Sequence, residues 1–316
     1  MKQQRGLYLL VSAVFCIGLI SIQAIIPRPP LSPASSRKPA AAPATHDPLP
    51  GKIPASHLLS SRKPAGKVVF FDDFSGKQLD RSKWNAEVTG MHVNRELQAY
   101  VDSNATIYLE NNTLVLRPLY SSGFTTKDGQ KFDFISGRIN TKSKFDFKYG
   151  TAEARIKISD GAGLWPAWWM LGNGPWPETG EVDIMEYVGE KAWASAAVHG
   201  PGYSGGKGLV DRFNFTKGND ITRWHVYGVD WTPDSLVFKY DGIPMFRVTK
   251  SMTAQYGKWA FDNNKYLILN FAVGGVYPAK VNGIEKPYYG LAPTTLDQIK
   301  NNKTKMWVDW VKVTQR

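Results

Sequence analysis

The reading turns on the stretch Trp176-Pro-Glu-Thr-Gly-Glu181-Val-Asp183-Ile-Met-Glu186-Tyr-Val-Gly189. Side chains alternate across a β-strand, so Glu181 and Asp183 share one face and position 185 should join them. Residue 185 is Met, and the next acid is Glu186. One residue has been inserted into the alternation. A β-bulge absorbs one such residue and restores the facing of the residues beyond it. The sequence therefore predicts a bulge at Ile184–Met185 that returns Glu186 to the face of Glu181.

The segments on either side are also strand-like. Helical periodicity is scarce after residue 67, and short alternating runs separated by turn signals are common. Ile107–Leu109 and Thr113–Arg117 flank Asn111-Asn112. Ser235–Tyr240 and Met245–Val248 flank Asp241-Gly242, a strong hairpin signal. Thr151–Ile158 and Met306–Val313 alternate as well. Many short strands with frequent turns describe an all-β sandwich. No internal repeat interrupts the pattern.

The remainder of the 316-residue chain is of a different kind. All 11 Trp lie after residue 66, while ten Pro fall between Pro27 and Pro64. Residues 67–316 are thus expected to form one folded body and residues 27–66 a Pro-rich, basic, disordered linker. The net charge of +12 is uneven, because the first 66 residues hold eight basic side chains and one acid, Asp47. A basic linker stays extended and is drawn to acidic surfaces. The body itself is only mildly basic, which argues against a nucleic-acid partner. Leu7–Ile26 is almost continuously apolar and uncharged, with Lys2 and Arg5 before it. Twenty residues at about 1.5 Å each can cross a hydrocarbon core of ~30 Å. Residues 1–26 therefore read as a signal peptide or an N-terminal membrane anchor, and the body as exported. Cys16 is the single Cys and reads as a buried apolar residue, so stability must come from the core rather than a disulfide. Four Asn-x-Ser/Thr sites, at Asn104, Asn111, Asn214 and Asn302, matter only in a source that glycosylates proteins.

Three acids on one strand face repel one another. Retaining glycoside hydrolysis needs two carboxyl groups about 5–5.5 Å apart, one to attack the anomeric carbon and one to exchange a proton. Four strand steps separate Cα atoms by roughly 13 Å, so two long Glu side chains must lean together. Asp183 between them can share a proton, and its charge raises its neighbours' pKa values. The alternative is a solvated polar strand face, since short motifs are only hypotheses without context. The context here is Trp165, Trp168, Trp169 and Trp176, aromatic faces of the kind on which sugar rings stack. One of the adjacent pair Trp168 and Trp169 should point into the core.

At these residues the chain resembles glycoside hydrolase family 16, in its laminarinase-like, endo-β-1,3-glucanase branch. The pieces come in family order: Phe71-Asp-Asp-Phe74, Asn94-Arg-Glu-Leu-Gln98, Ser136-Gly-Arg-Ile139, Tyr149 to Arg155, Gly163 to Gly172 and the carboxylate strand. After it come His199 to Tyr203, Trp224 to Tyr227, Asn270 to Gly275 and Val308 to Val311. The resemblance implies a β-jelly-roll sandwich of the concanavalin A-like type with a concave substrate cleft. It implies retention of configuration, with Glu181 as nucleophile, Glu186 as acid/base and Asp183 as helper. The inserted Met185 is the mark of the laminarinase-like and agarase-like branches. By similarity Asn94, Arg138, Trp165, Trp169, Trp176 and His199 line the cleft; for Arg138 the alternative is a structural ion pair. The resemblance also implies a structural calcium on the convex side, held by Asp309 and by backbone oxygens near Asp73, and no cofactor for catalysis. Arg95, Trp168 and Val276-Tyr277 depart from the family's usual residues and bear on subsite preference. The expected substrate is β-1,3-glucan, cut internally by a monomer. The rivals are another β-glycan, such as mixed-linkage glucan or agar, glycosyl transfer, and a carbohydrate-binding jelly roll without catalysis.

Overall fold

A computed structural model describes residues 66–90 and 92–315. The apolar segment 7–26, Cys16 and linker residues 27–65 lie outside the described residues. Among the described residues no helix is long and apolar enough to cross a membrane.

In chain order the strands are β1 (Lys67–Asp72), β2 (Asn85–Ala86), β3 (Gln98–Tyr100), β4 (Ile107–Glu110), β5 (Thr113–Leu116) and β6 (Leu119–Thr125). Next come β7 (Lys131–Ser136), β8 (Arg138–Asn140), β9 (Gly150–Ile158), β10 (Leu164–Gly172), β11 (Glu181–Glu186) and β12 (Trp193–His199). The last are β13 (Leu209–Asn214), β14 (His225–Trp231), β15 (Ser235–Tyr240), β16 (Ile243–Thr249), β17 (Lys265–Val273) and β18 (Met306–Gln315). The helices are short: α1 (Lys250–Thr253), α2 (Val276–Asn282) and α3 (Pro293–Lys300).

Two antiparallel sheets form the sandwich. One has the order β16-β15-β14-β9-β18-β5-β4, with β1 also paired to β18. The other has the order β13-β12-β11-β10-β17-β8-β2 and carries the carboxylate strand near its middle. A small third sheet, β3-β7-β6, stands apart. Strand neighbours far apart in sequence, such as β9 beside β18, are the crossovers of a jelly roll. Both expected hairpins form. Asn111 and Asn112 take φ of 51° and 56°, and Asp241 and Gly242 take 52° and 77°. Positive φ at both central residues is what a tight turn matched to strand twist demands.

Alternation along each strand supplies the core. From the eight-stranded sheet Ala152, Ala154, Ile156 and Ile158 of β9 point inward, with Tyr227, Val229 and Trp231 of β14. From the seven-stranded sheet Val182, Ile184 and Met185 meet them, with Trp168 and Met170. Trp168 is the inward member of its pair, as alternation requires, and Trp169 takes the outer face. All nine residues of β17 are buried, because this strand lies between β10 and β8 with covered faces.

Candidate active site

The bulge falls where the acid spacing places it. On β10, Trp168 faces Met185 and Trp169 faces Asp183, so Ile184 is the extra residue. On β12, Ala197 faces Asp183 and Ser195 faces Glu186, so Ile184 and Met185 together oppose one residue. Both are fully buried. Paired residues share a face, so the registers define rows across the sheet. Arg138, Asn270, Ala167, Glu186, Ser195 and Arg212 form one row. Trp169, Asp183 and Ala197 lie in the next, and Leu171, Glu181 and His199 in the one beyond. The three acids therefore stand on the outer face of the seven-stranded sheet.

The bulge is held from across the core. Tyr240, on β15 of the opposite sheet, places its hydroxyl 2.7 Å from the Ser195 carbonyl oxygen and 3.1 Å from that of Ile184. A bulge interrupts the ladder, and this hydroxyl supplies a donor where the ladder lacks one.

Each glutamate carries one indole. Trp176 Nε1 donates to Glu181 Oε2 at 2.7 Å, and Trp165 Nε1 donates to Glu186 Oε1 at 2.9 Å. Trp176 is half exposed, an aromatic face open to a ligand. Its loop is pinned by the buried Lys265, whose Nζ donates to the carbonyls of Thr179 and Ala260 and to Asn263 Oδ1. Burial pulls the Lys265 pKa down to about 7. Asp183 is almost fully buried, and its Oδ2 has no aligned hydrogen-bond partner. His199 Nε2 stands 3.3 Å from that oxygen. Ligating atoms of Glu181, Asp183 and His199 all lie within 4.8 Å of one another. Gly208 packs close against the His199 ring, where a methyl group would meet Cε1 at 2.2 Å.

Burial dominates the electrostatics. It pushes the Glu181 carboxyl up to about 8, with the nearby Asp183 adding to the effect and His199 and Trp176 opposing it. It pushes Glu186 up to about 7, against the Trp165 hydrogen bond and His199. Asp183 is raised well above the ordinary range by burial and by Glu186. The three form one coupled set that holds protons near neutral pH.

The structure also locates the other residues expected in the cleft. Trp169 Nε1 donates to Asn270 Oδ1 at 2.7 Å. Arg138 is both an ion pair and a cleft residue: Nε lies 2.9 Å from Glu87 Oε2, and the guanidinium sits 4.9 Å from the Trp169 ring centre. Asn94 is exposed, with φ of 54°. Arg95 lies over the Tyr289 ring at 3.6 Å. Tyr277 meets Trp165 edge-on at 5.8 Å, and its hydroxyl is 3.1 Å from Ser195 Oγ. Sequence reasoning missed Tyr240, Lys265 and Glu96.

The convex-side carboxylates are already engaged. Asp72 faces Val311, so Asp73 and Asp309 lie near one stretch of the β1–β18 pair. Asp309 sits at a register shift and accepts from Arg155 Nη1 at 2.6 Å. Asp73 Oδ1 accepts from the amide and hydroxyl of Ser75. Calcium prefers six to eight oxygens with net negative charge. Asp309 shares one carboxylate oxygen with a guanidinium, so a calcium here would draw most of its oxygens from the backbone near Asp73.

A jelly-roll sandwich whose outer sheet face aligns three acids beneath tryptophans is the arrangement that glycoside hydrolases use. Residues 82–312 match the family described as Glycosyl hydrolases family 16, and the chain belongs to that family. Among curated relatives, Glucan endo-1,3-beta-glucosidase A1 of Niallia circulans is 34% identical over 66% of this chain. This chain spans only 34% of that relative's length. The Beta-1,3-glucan-binding protein of Penaeus monodon is 28% identical, over 77% of this chain and 84% of its own length. Among solved structures, the endo-beta-1,3-glucanase from Pyrococcus furiosus aligns with a TM-score of 0.69 at 33% identity, over 78% of this chain and 94% of that one.

Proposed function

We propose that this chain hydrolyses β-1,3-glucan internally, with retention, through a covalent glycosyl-enzyme. Glu181 attacks the anomeric carbon while the glycosidic C–O bond breaks and Glu186 protonates the leaving oxygen. Glu186, now a carboxylate, takes a proton from water, whose oxygen displaces Glu181 from that carbon. The observation that carries this reading is the bulge, which sets Glu186 on the face of Glu181 and Asp183. The relatives named as 1,3-β-glucanases support the linkage.

A nucleophile must be ionised, yet Glu181 binds its proton at least as tightly as Glu186. Asp183, the most deeply buried of the three, resolves the conflict by keeping the proton it shares with Glu181, which leaves Glu181 as the carboxylate. Trp176 and His199 then favour the Glu181 carboxylate. No step uses a metal or cofactor. We further propose that the body acts as a monomer outside the cytoplasm, residues 7–26 carrying it into the membrane or across it.

Glu181→Gln should lower laminarin turnover by roughly 10³-fold or more while the fold persists. Wild-type rates in that variant would refute the assignment. The Penaeus monodon relative, named for binding, supports a second reading as a glucan-binding sandwich. Binding of laminarin without turnover by the wild-type chain would favour it. A panel of laminarin, lichenan, agarose and xyloglucan fixes the substrate, and product analysis at high acceptor concentration separates hydrolysis from glycosyl transfer.

A further inference from the structure

Glu96 is a fourth acid beside the site. It comes directly after Asn94 and Arg95, whose φ of 54° and 58° bend the chain through a left-handed pair that bulky residues rarely adopt. Gln98 Nε2 donates to Glu96 Oε2 at 2.8 Å, and Asn94 Nδ2 lies 3.4 Å from Oε1. The Tyr100 hydroxyl lies close to this carboxylate. Tyr100 Oη in turn accepts from Asn270 Nδ2 at 2.9 Å, and Asn270 Oδ1 accepts from Trp169 Nε1. A bonded chain thus runs from the Trp169 indole to Tyr100, whose hydroxyl lies beside Glu96. On its other side Glu96 crowds Gly275. A methyl group there would lie 3.4 Å from Glu96 Cγ and 3.3 Å from Trp165 Cζ3. Trp165 is the indole that donates to Glu186. Glu96 therefore stands one ring away from Glu186.

We propose that Glu96 is a positioning residue: as a carboxylate it holds the proton on Glu186 and terminates the chain that orients Trp169. The inference rests on the reading of Glu186 as acid/base. Burial raises the Glu96 pKa, while Gln98, Arg138, Asn94 and Tyr100 all favour its charged form. The groups facing Glu186 are Glu181 and Asp183 from β11, Trp165 from β10, His199 from β12, Tyr240 from β15 and Tyr277 from α2. Among them His199 draws the proton off, whereas Glu181 and Glu96 retain it. Neutralising Glu96 must therefore let Glu186 lose its proton at lower pH.

The test is kcat/KM on laminarin against pH. Glu96→Gln should move the alkaline limb down by about half a pH unit or more, and Glu96→Asp should restore it. Glu96→Ala carries the same expectation if the Gln variant does not fold. Tyr100→Phe breaks the chain but keeps the charge, so it should raise KM about three-fold or more with the limb unmoved. If both neutral variants superimpose on wild type and only melting changes, Glu96 is structural and the proposal fails. Glu186→Gln, run alongside, separates the two claims. Wild-type activity in that variant overturns the reading of Glu186, whereas an inactive Glu186→Gln with an unmoved Glu96→Gln limb overturns only the inference about Glu96.

Discussion

Glu181, Asp183 and Glu186 bind protons more tightly than exposed carboxylates because the protein shields them from much of the solvent and each faces another acid. The consequence for stability has a definite sign. Glu181 titrates near 8 in the folded chain against 4.5 when unperturbed. Folding therefore favours its neutral form, and that stability is lost as pH rises from the unfolded value through the folded one. Glu181→Gln should melt higher than wild type at pH 8, by about 2–4 °C, which is what ~1 kcal/mol moves in a domain of this size. The gap should close near pH 4. Differential scanning fluorimetry across that range checks it, and a lower melting point at pH 8 would show that the carboxylate is better solvated than its surroundings imply. At this scale the acids were legible, because they crowd into six residues. Glu96 was not, because its partners Gln98, Tyr100 and Trp165 gain meaning only once β10 and β17 bring Asn270 and Gly275 beside them.

The bulge in β11 is the element on which the site depends. Its position could be read by counting, since two side chains per repeat leave no other place for the extra residue. What holds it could not be read. Tyr240 comes from a hairpin recognisable by Asp241-Gly242, but nothing in that hairpin points to a backbone on the facing sheet. Removing the hydroxyl leaves the Ile184 and Ser195 carbonyls short of a donor in a dry core. A buried group left unpaired costs about 1–3 kcal/mol. Tyr240→Phe should therefore melt roughly 3–8 °C lower. It should also reduce kcat more than KM, because the Glu186 backbone loses its support. An unchanged kcat with a lowered melting point would confine Tyr240 to the core.

Across the whole molecule, strand alternation gave the two-sheet class. Sheet order was beyond reach, because pairings such as β9 with β18 join segments with no local signature. Core residues from β1 to β18 close on one another within the described body. Residues 67–316 should therefore fold alone, with a melting temperature within about 2 °C of the full chain and equal turnover of soluble laminarin. A large drop would mean that earlier residues complete the core.

The central claim is that the bulge delivers two glutamates to opposite tasks on one anomeric carbon. Azide rescue with an aryl β-laminari-oligosaccharide bearing a good leaving group tests it most directly. Azide needs no base, so it replaces whichever carboxylate has been removed. The account predicts that Glu186→Ala with azide yields the β-glycosyl azide, formed through the covalent intermediate on Glu181. Glu181→Ala should yield the α-glycosyl azide, by direct attack from the vacated side. A β product from Glu181→Ala, or an α product from Glu186→Ala, would contradict the assignment.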